Sequence, residues 1–138
     1  MELDTLARIA ATYSLIIWLG GLLHLAVAAM PQVRMVEDRR MRIFLTVGMM
    51  RRYNPPSWAA LSILLISTLY LSLSLWTGLL SVLALALVMV VFIMDFTHSF
   101  IYGPRAAKGD IHARKIANIL AVSEIPPALA LPTILTLL

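Results

Sequence analysis

The sequence is poor in charged residues and contains no cysteine. Only 13% of its 138 residues are charged and 61% are hydrophobic, whereas a soluble domain is about 25% charged and about 45–50% apolar. A soluble domain of this length buries only roughly two thirds of its chain surface, so it could not hide that much apolar area from water. These shortages exclude a soluble domain, a disordered chain and a disulfide scaffold.

Acidic residues are scarcer than basic ones, with seven Asp and Glu against eleven Lys and Arg and a net charge of +4. An excess of basic residues can indicate nucleic-acid binding, but in a chain this apolar it is typical of a membrane protein, whose basic residues set its orientation in the bilayer. We therefore expect the lipid bilayer as the surroundings of the chain, and no nucleic-acid partner.

Four apolar stretches are long enough to cross a bilayer as helices, which takes about 20 residues each. They cover about residues 5–29, 55–76, 79–102 and 110–138. The first stretch is too long for a cleavable signal peptide and lacks its basic leader, so we expect a permanent helix. We predict a single all-α transmembrane domain over residues 1–138, a four-helix bundle with up-down-up-down topology.

Proline and glycine set the predicted ends of these spans. Pro31 ends the first span, and Pro55–Pro56 begin the second because proline suits the first turn of a helix. Thr77–Gly78 is predicted as a tight turn, and Gly103–Pro104 closes the third span. Prolines inside the fourth span predict a kink beside Glu124.

Basic residues are concentrated at one end of the predicted bundle. Ten of the eleven Lys and Arg lie in the first loop, or in the third loop and the adjoining start of the fourth span. Positive charge favours the cytoplasmic side of a membrane. We expect a multi-pass protein of the cell membrane with both termini outside and the first and third loops in the cytoplasm.

The first loop, residues 32–54, is long for a connection between helices. Its middle, residues 36–50, is charged at first and then apolar. This composition predicts a short amphipathic helix at the inner membrane interface, with its arginines toward anionic lipid. The alternative is an ordinary solvated connector.

Four ionisable residues lie within the apolar spans: His24, Asp95, His98 and Glu124. Such a residue costs a few kcal/mol at least and is a functional candidate by default. The two histidines each lie five residues before the inner end of a span, about 7–8 Å from the membrane boundary. Two histidines at one depth on parallel, diagonal helices predict a shared haem b, since histidine is an axial ligand of haem iron.

Small and aromatic neighbours extend the predicted haem site. Gly20 and Gly21 lie one turn before His24 and leave room for a flat porphyrin. The alternative for these glycines is close packing between helices, for which membrane proteins commonly use small residues. Tyr102 lies one turn after His98 on the same predicted face.

Charged residues complete the predicted site. Asp95, one turn before His98, is expected to orient its imidazole or, alternatively, to be a structural carboxylate bonded to a serine of the second helix. Arg51 and Arg52 lie where haem propionates would emerge, although the positive-inside rule also explains arginines there. Glu124 is a candidate proton-relay or quinone-contact carboxylate, the alternative being a bond to a carbonyl freed by the prolines.

Two short stretches resemble the CopD-like family of membrane proteins and the related HemJ proteins. Trp18 with Gly20–Gly21 matches the Trp-x-Gly-Gly element of the first CopD helix, and residues 98–105 resemble the end of a later CopD helix, where Gly-Pro follows an apolar run. The resemblance covers roughly a third of the chain. It implies copper handling for a CopD-like protein, and a four-span haem protein of protoporphyrinogen oxidation for a HemJ-like one. HemJ proteins carry a histidine two turns before the tryptophan, whereas residues 6–11 here contain none.

We therefore expect a b-type haem protein that transfers electrons within the membrane, with His24 and His98 as axial ligands and a quinone or a redox subunit as partner. Bis-histidine iron has no open position for oxygen chemistry, which favours electron transfer over hydrolytic or transferase catalysis. The alternatives are a CopD-like copper protein and a non-catalytic subunit of a respiratory membrane complex. A homodimer is a further expectation, because so small a bundle has little interior for a cofactor.

Overall fold

The computed structural model describes residues 2–75 and 78–137 of the chain. These residues form helices and no strand. They fall into four rods, each long and apolar enough to cross a membrane: Glu2–Arg34, Arg39–Ser74, Leu79–Ala107 and Ile111–Leu137. The prediction of an all-α chain with four candidate spans is confirmed.

The rods divide into seven α-helices and two π-helical segments over the described residues. The first rod comprises α1 (Glu2–Leu23), a first π-helical segment (His24–Ala29) and α2 (Met30–Arg34). The second rod is α3 (Arg39–Leu75), and the third comprises α4 (Leu79–Phe96), a second π-helical segment (Thr97–Tyr102) and α5 (Gly103–Ala107). The fourth comprises α6 (Ile111–Ser123) and α7 (Ile125–Leu137).

The first rod continues through Pro31, so the expectation that this proline stops the helix is wrong. Proline lacks an N–H, and its ring collides with the carbonyl four residues earlier in a regular helix. Ahead of Pro31 the chain widens into a π turn, in which the Met30 N–H bonds to the carbonyl of Leu25. The wider turn accommodates the proline, and the helix continues to Arg34.

The third rod repeats this arrangement at Gly103–Pro104, where its predicted end is also wrong. The Gly103 N–H bonds to the carbonyl of His98, and a Cβ at position 103 would lie 2.8 Å from that oxygen. Because this contact is to backbone, no side-chain movement relieves it, and the turn needs glycine. Each π segment also contains a histidine: His24 is the first residue of one segment, and His98 is the second residue of the other.

The second rod begins at Arg39 and not at the predicted Pro55. α3 has 37 residues, so it is about 55 Å long, against roughly 30 Å for the hydrocarbon core of a bilayer. Pro55 and Pro56 lie inside it, and each leaves the carbonyl four residues earlier without its usual donor. Residues 39–50, the greater part of the predicted interfacial helix, are helical and continuous with the span.

The connection between α3 and α4 is only partly described. Trp76 and Thr77, at the predicted end of the second span and the predicted turn, lie outside the described residues. Gly78 has a φ of 66°, a conformation that residues with a side chain rarely adopt. The Ser72 hydroxyl donates to the carbonyl of Ser81 over 3.2 Å and ties the end of α3 to the start of α4.

The fourth rod divides at Glu124, the position of the predicted kink. α6 begins after Asp110, whose carboxylate accepts a hydrogen bond from the Ala113 N–H over 3.0 Å. This N-cap satisfies one of the donors that the first turn of a helix leaves free. Glu124 lies between the end of α6 and the start of α7.

Rods that are adjacent in the chain pack against each other, and the fourth returns to the first. α1 packs along α3, α3 along α4, and α4 along α7, which also contacts α1. Asp4 accepts hydrogen bonds from Tyr70 over 3.1 Å and Ser74 over 2.7 Å, so the start of α1 meets the end of α3. The apolar core between the rods includes Ala11, Leu15, Trp18, Ala60, Leu61, Leu64, Val88, Val91, Ala128 and Leu131.

Candidate functional site

Asp95 is a carboxyl group buried in the middle of the bundle. Its residue is 8% exposed on α4. Oδ1 accepts a hydrogen bond from the Ser99 hydroxyl over 3.1 Å, and the Trp18 indole lies within hydrogen-bonding reach of the carboxyl. Oδ2 is buried and has no hydrogen-bond partner among the residues of the described structure. One acceptor of Asp95 therefore lies in the interior without a donor, an arrangement that is costly in an apolar interior.

Glu124 brings a second carboxyl group to the same place. It is 2% exposed, and its Oε1 has no hydrogen-bond partner within residues 2–75 and 78–137. Its position between α6 and α7 adjoins α4, which packs against both helices. The charge of Asp95 acts on Glu124, so we group the two carboxyls in one candidate site.

α3 contributes a tyrosine and a serine on one helical face. The Tyr53 hydroxyl donates to the carbonyl of Trp18 over 3.1 Å, and Tyr53 is within electrostatic range of both carboxyls. Ser57, one turn later, is 3% exposed, and its Oγ has no partner among the described residues. α3 is held against α4 beside this point by the Trp58 ring, which packs edge-on to Phe92, Phe96 and Phe100.

We call Trp18, Tyr53, Ser57, Asp95 and Glu124 the acid site. Each of the four rods contributes at least one of these residues. The buried polar residues of the described chain are serines, a threonine and the two acids, with no lysine, arginine or histidine among them. Two neighbouring carboxylates in apolar surroundings cannot both keep a charge without a compensating cation or a bound proton. The arrangement is therefore suited to holding a proton or a small cation.

The two predicted haem ligands lie outside this buried centre. His24 is exposed on the first rod, and His98 is half-buried one turn after Asp95. No hydrogen bond or charge interaction between these two histidines is found in the described part of the chain. The charge that acts on His98 is that of Asp95, so the predicted proximity of these two residues is present.

The other predicted site residues are distributed around the bundle. Gly21 lies against the ring of Tyr53, whereas Gly20 faces open space in an apolar groove of about 560 Å³ between α1 and α7. Tyr102 is half-buried in the second π segment, and Arg51 and Arg52 are exposed on α3. Within the described ranges no three His, Asp or Glu side chains are grouped as metal ligands; a haem held by two histidines needs no such group.

Sequence reasoning identified both carboxyls but missed three members of the acid site. Trp18 was assigned only to a motif, and Tyr53 and Ser57 were not considered. Tyr53 and Ser57 are four residues apart at the start of an apolar stretch, which places both on one face of a helix. This spacing is the sequence signal that indicates a shared polar site.

Comparison of the chain with protein-family models, with curated proteins and with solved structures finds no match.

The two adjacent glycines of α1 differ in what a methyl group would meet, which gives a matched test of the Tyr53 contact. In Gly21→Ala the new Cβ would collide with the Tyr53 ring. We expect the displaced ring to lose its bond to the Trp18 carbonyl and the free energy of unfolding to fall by about 1–3 kcal/mol, the usual loss on overpacking. Unfolding of the purified variants in mixed micelles measures this loss.

Gly20→Ala is the control, because nothing lies within 4 Å of its new Cβ. This variant is expected to keep wild-type stability or to gain slightly, since alanine favours a helix over glycine. Equal losses at both positions would show that Tyr53 is not held where the structure places it.

Proposed function

We propose that this chain is a multi-pass membrane protein that binds and releases protons at the acid site. The observation that carries the proposal is the burial of both Asp95 and Glu124 within electrostatic range of each other, with Oδ2 and Oε1 free of partners among the described residues and no buried basic side chain there. An ionisable residue in a membrane span raises the free energy of the folded protein, so its presence there makes it a functional candidate. A shared proton removes most of the cost, because only one charge is then buried.

A proton suits the acid site better than a metal ion. Divalent cations require several oxygen or nitrogen ligands at short distances, and the described residues hold no cluster of three such side chains. The polar groups around Asp95 are instead single donors: the Ser99 hydroxyl and the Trp18 indole. These groups can exchange hydrogen bonds with a carboxyl in either protonation state.

The proposal includes the membrane placement expected from charge. Ten of the eleven Lys and Arg lie at the end of the bundle that carries the first and third connections, which we place in the cytoplasm of a cell membrane. Both termini then lie outside, and the rods alternate in direction. In this placement the start of α3 meets the inner membrane surface, and its arginines meet anionic lipid.

Infrared spectroscopy tests whether a carboxyl is protonated inside the protein. At neutral pH exposed carboxyls are ionised, so a C=O stretching band of a protonated carboxyl, sensitive to D₂O, has to come from a buried group. We expect this band in the wild-type protein and its loss in the Asp95→Asn/Glu124→Gln double variant. Glu37→Gln, at an exposed position, is the control and should keep the band. A wild-type spectrum without the band, or a double variant that retains it, would refute the proposal.

We propose haem b binding by His24 and His98 as a second candidate function. The observation that favours it is that these two residues occur in the two π-helical segments, since π turns are frequent at functional sites. His24 is exposed, which suits a haem held between two copies of the chain. Electron transfer with a quinone or a redox subunit would be its role.

A visible spectrum of the protein purified with haem available tests this second candidate. We expect a Soret band with a low-spin spectrum that is lost in His24→Ala and in His98→Ala but kept in His112→Ala, which removes the third histidine. Absence of the band would refute haem binding. Bound copper without iron would instead favour a CopD-like protein. Co-purification with a respiratory complex, and tolerance of both substitutions, would favour a non-catalytic subunit.

A further inference from the structure

The acid site is closed on one side by an apolar layer. We define the layer as Leu15, Leu61, Leu64, Val91 and Leu131, each of which is at most 6% exposed. All five lie on the same side of the acid site, toward the end of the bundle that carries the α3–α4 connection.

The order of residues along each rod shows this one-sided arrangement. Leu15 comes before Trp18 on α1, and Leu61 comes after Ser57 on α3. Val91 likewise comes one turn before Asp95, and Leu131 comes after Glu124. We call the end beyond the layer the far end, and the opposite end, with the connections at residues 35–38 and 108–110, the basic end.

Polar, partly accessible residues lie on the other side of the acid site, toward the basic end. His98 and Ser99 follow Asp95 by one turn and are half-buried, as is Tyr53 at the start of the span. The Ser99 hydroxyl already bonds to Asp95. Groups that can form hydrogen bonds therefore lie between the buried carboxyl and the basic end, whereas the five residues of the layer are apolar and the one buried hydroxyl beside them among the described residues of α1 is that of Ser14.

Buried hydroxyls occur beyond the layer, but they do not reach the carboxyls. Thr68 is fully buried, and its Oγ1 has no partner among the described residues, while Ser72 bonds to the carbonyl of Ser81. Leu61 and Leu64 separate these hydroxyls from Ser57 along α3. The far half of the bundle therefore holds polar groups without a connection to the acid site.

We propose that the acid site exchanges protons with water from the basic end only, past His98, and is sealed from the far end by the apolar layer. This proposal rests on the proton-binding function proposed above, and it adds the end of the bundle from which protons enter and leave the acid site. The titratable or charged residues on His98's own segment and the helices packed against it are Asp95, Tyr102, Arg105, His112, Arg114 and Lys115. Of these, Asp95 is the one whose charge acts on His98.

The absence of cysteine from the sequence permits a direct test by single-cysteine labelling. Val91 and Ser99 each lie one turn from Asp95, on opposite sides of it, and form a matched pair. Val91→Cys and Ser99→Cys are reconstituted in vesicles of known orientation and treated from either side with a charged, membrane-impermeant thiol reagent. Exposed Met35→Cys and Leu79→Cys report the basic end and the far end respectively.

We expect Ser99→Cys, at a half-buried position, to be modified from the basic end and to stay unmodified from the far end. Val91→Cys should stay unmodified from both ends. Modification of Ser99→Cys from the far end, or its failure to react from the basic end, would overturn the proposal. Serine and cysteine are similar in size. If a variant has a wild-type circular dichroism spectrum and a single gel-filtration peak, its labelling therefore reports the accessibility of the wild-type position.

This labelling pattern does not depend on whether the carboxyls hold a proton. The expected pattern together with an absent infrared band would show an access path without a proton site. The infrared band together with labelling from the far end would show a proton site that is not sealed. The failures of the two proposals are therefore distinguishable.

Discussion

The burial of two carboxyl groups within electrostatic range of each other, with no buried basic residue among the described part of the chain, is the constraint on which the rest of this structure depends. Asp95 and Glu124 lie on different rods and are kept from water by all four. In the interior of an apolar helix bundle a charge is far more costly than in water, so the two groups are not both ionised unless a cation lies beside them. Trp18 and Ser99 supply donors to one of them, and the remaining oxygens are the part of the site where a bound proton would lie.

The spans could be predicted from composition, but their ends could not. Apolar runs of sufficient length predicted four helices that are each long and apolar enough to cross a membrane, because length and hydropathy determine which segments can do so. The rule that proline ends a helix is local, and it failed at Pro31 and Pro104. In both places a π turn absorbs the proline, and at the second a glycine provides the space that the turn needs. Whether a helix stops or widens at a proline depends on what its neighbours contact, and sequence spacing does not contain this information.

The members of the candidate site could be predicted one at a time, but not as a group. Asp95 and Glu124 stood out because charged residues are rare in apolar spans. The sequence could not place them together, since it does not specify how each helix rotates within the bundle. Equal depth predicts that His24 and His98 form a pair, and this stays a prediction, because depth fixes only one coordinate and His24 is exposed on the first rod. Tyr53 and Ser57 were missed because single hydroxyls in a membrane helix carry no signal of their own.

The central claim, that Asp95 and Glu124 form one coupled site, is tested most directly by a double-mutant cycle on the free energy of unfolding in mixed micelles. The cycle compares Asp95→Asn, Glu124→Gln and the double variant with the wild-type protein. If the two carboxyls share one proton, neutralising either changes the state of the other, and the effects deviate from additivity by about 0.5–3 kcal/mol, the range for residues that interact directly. Effects that add to within about 0.3–0.5 kcal/mol, as for distant sites, would contradict the account.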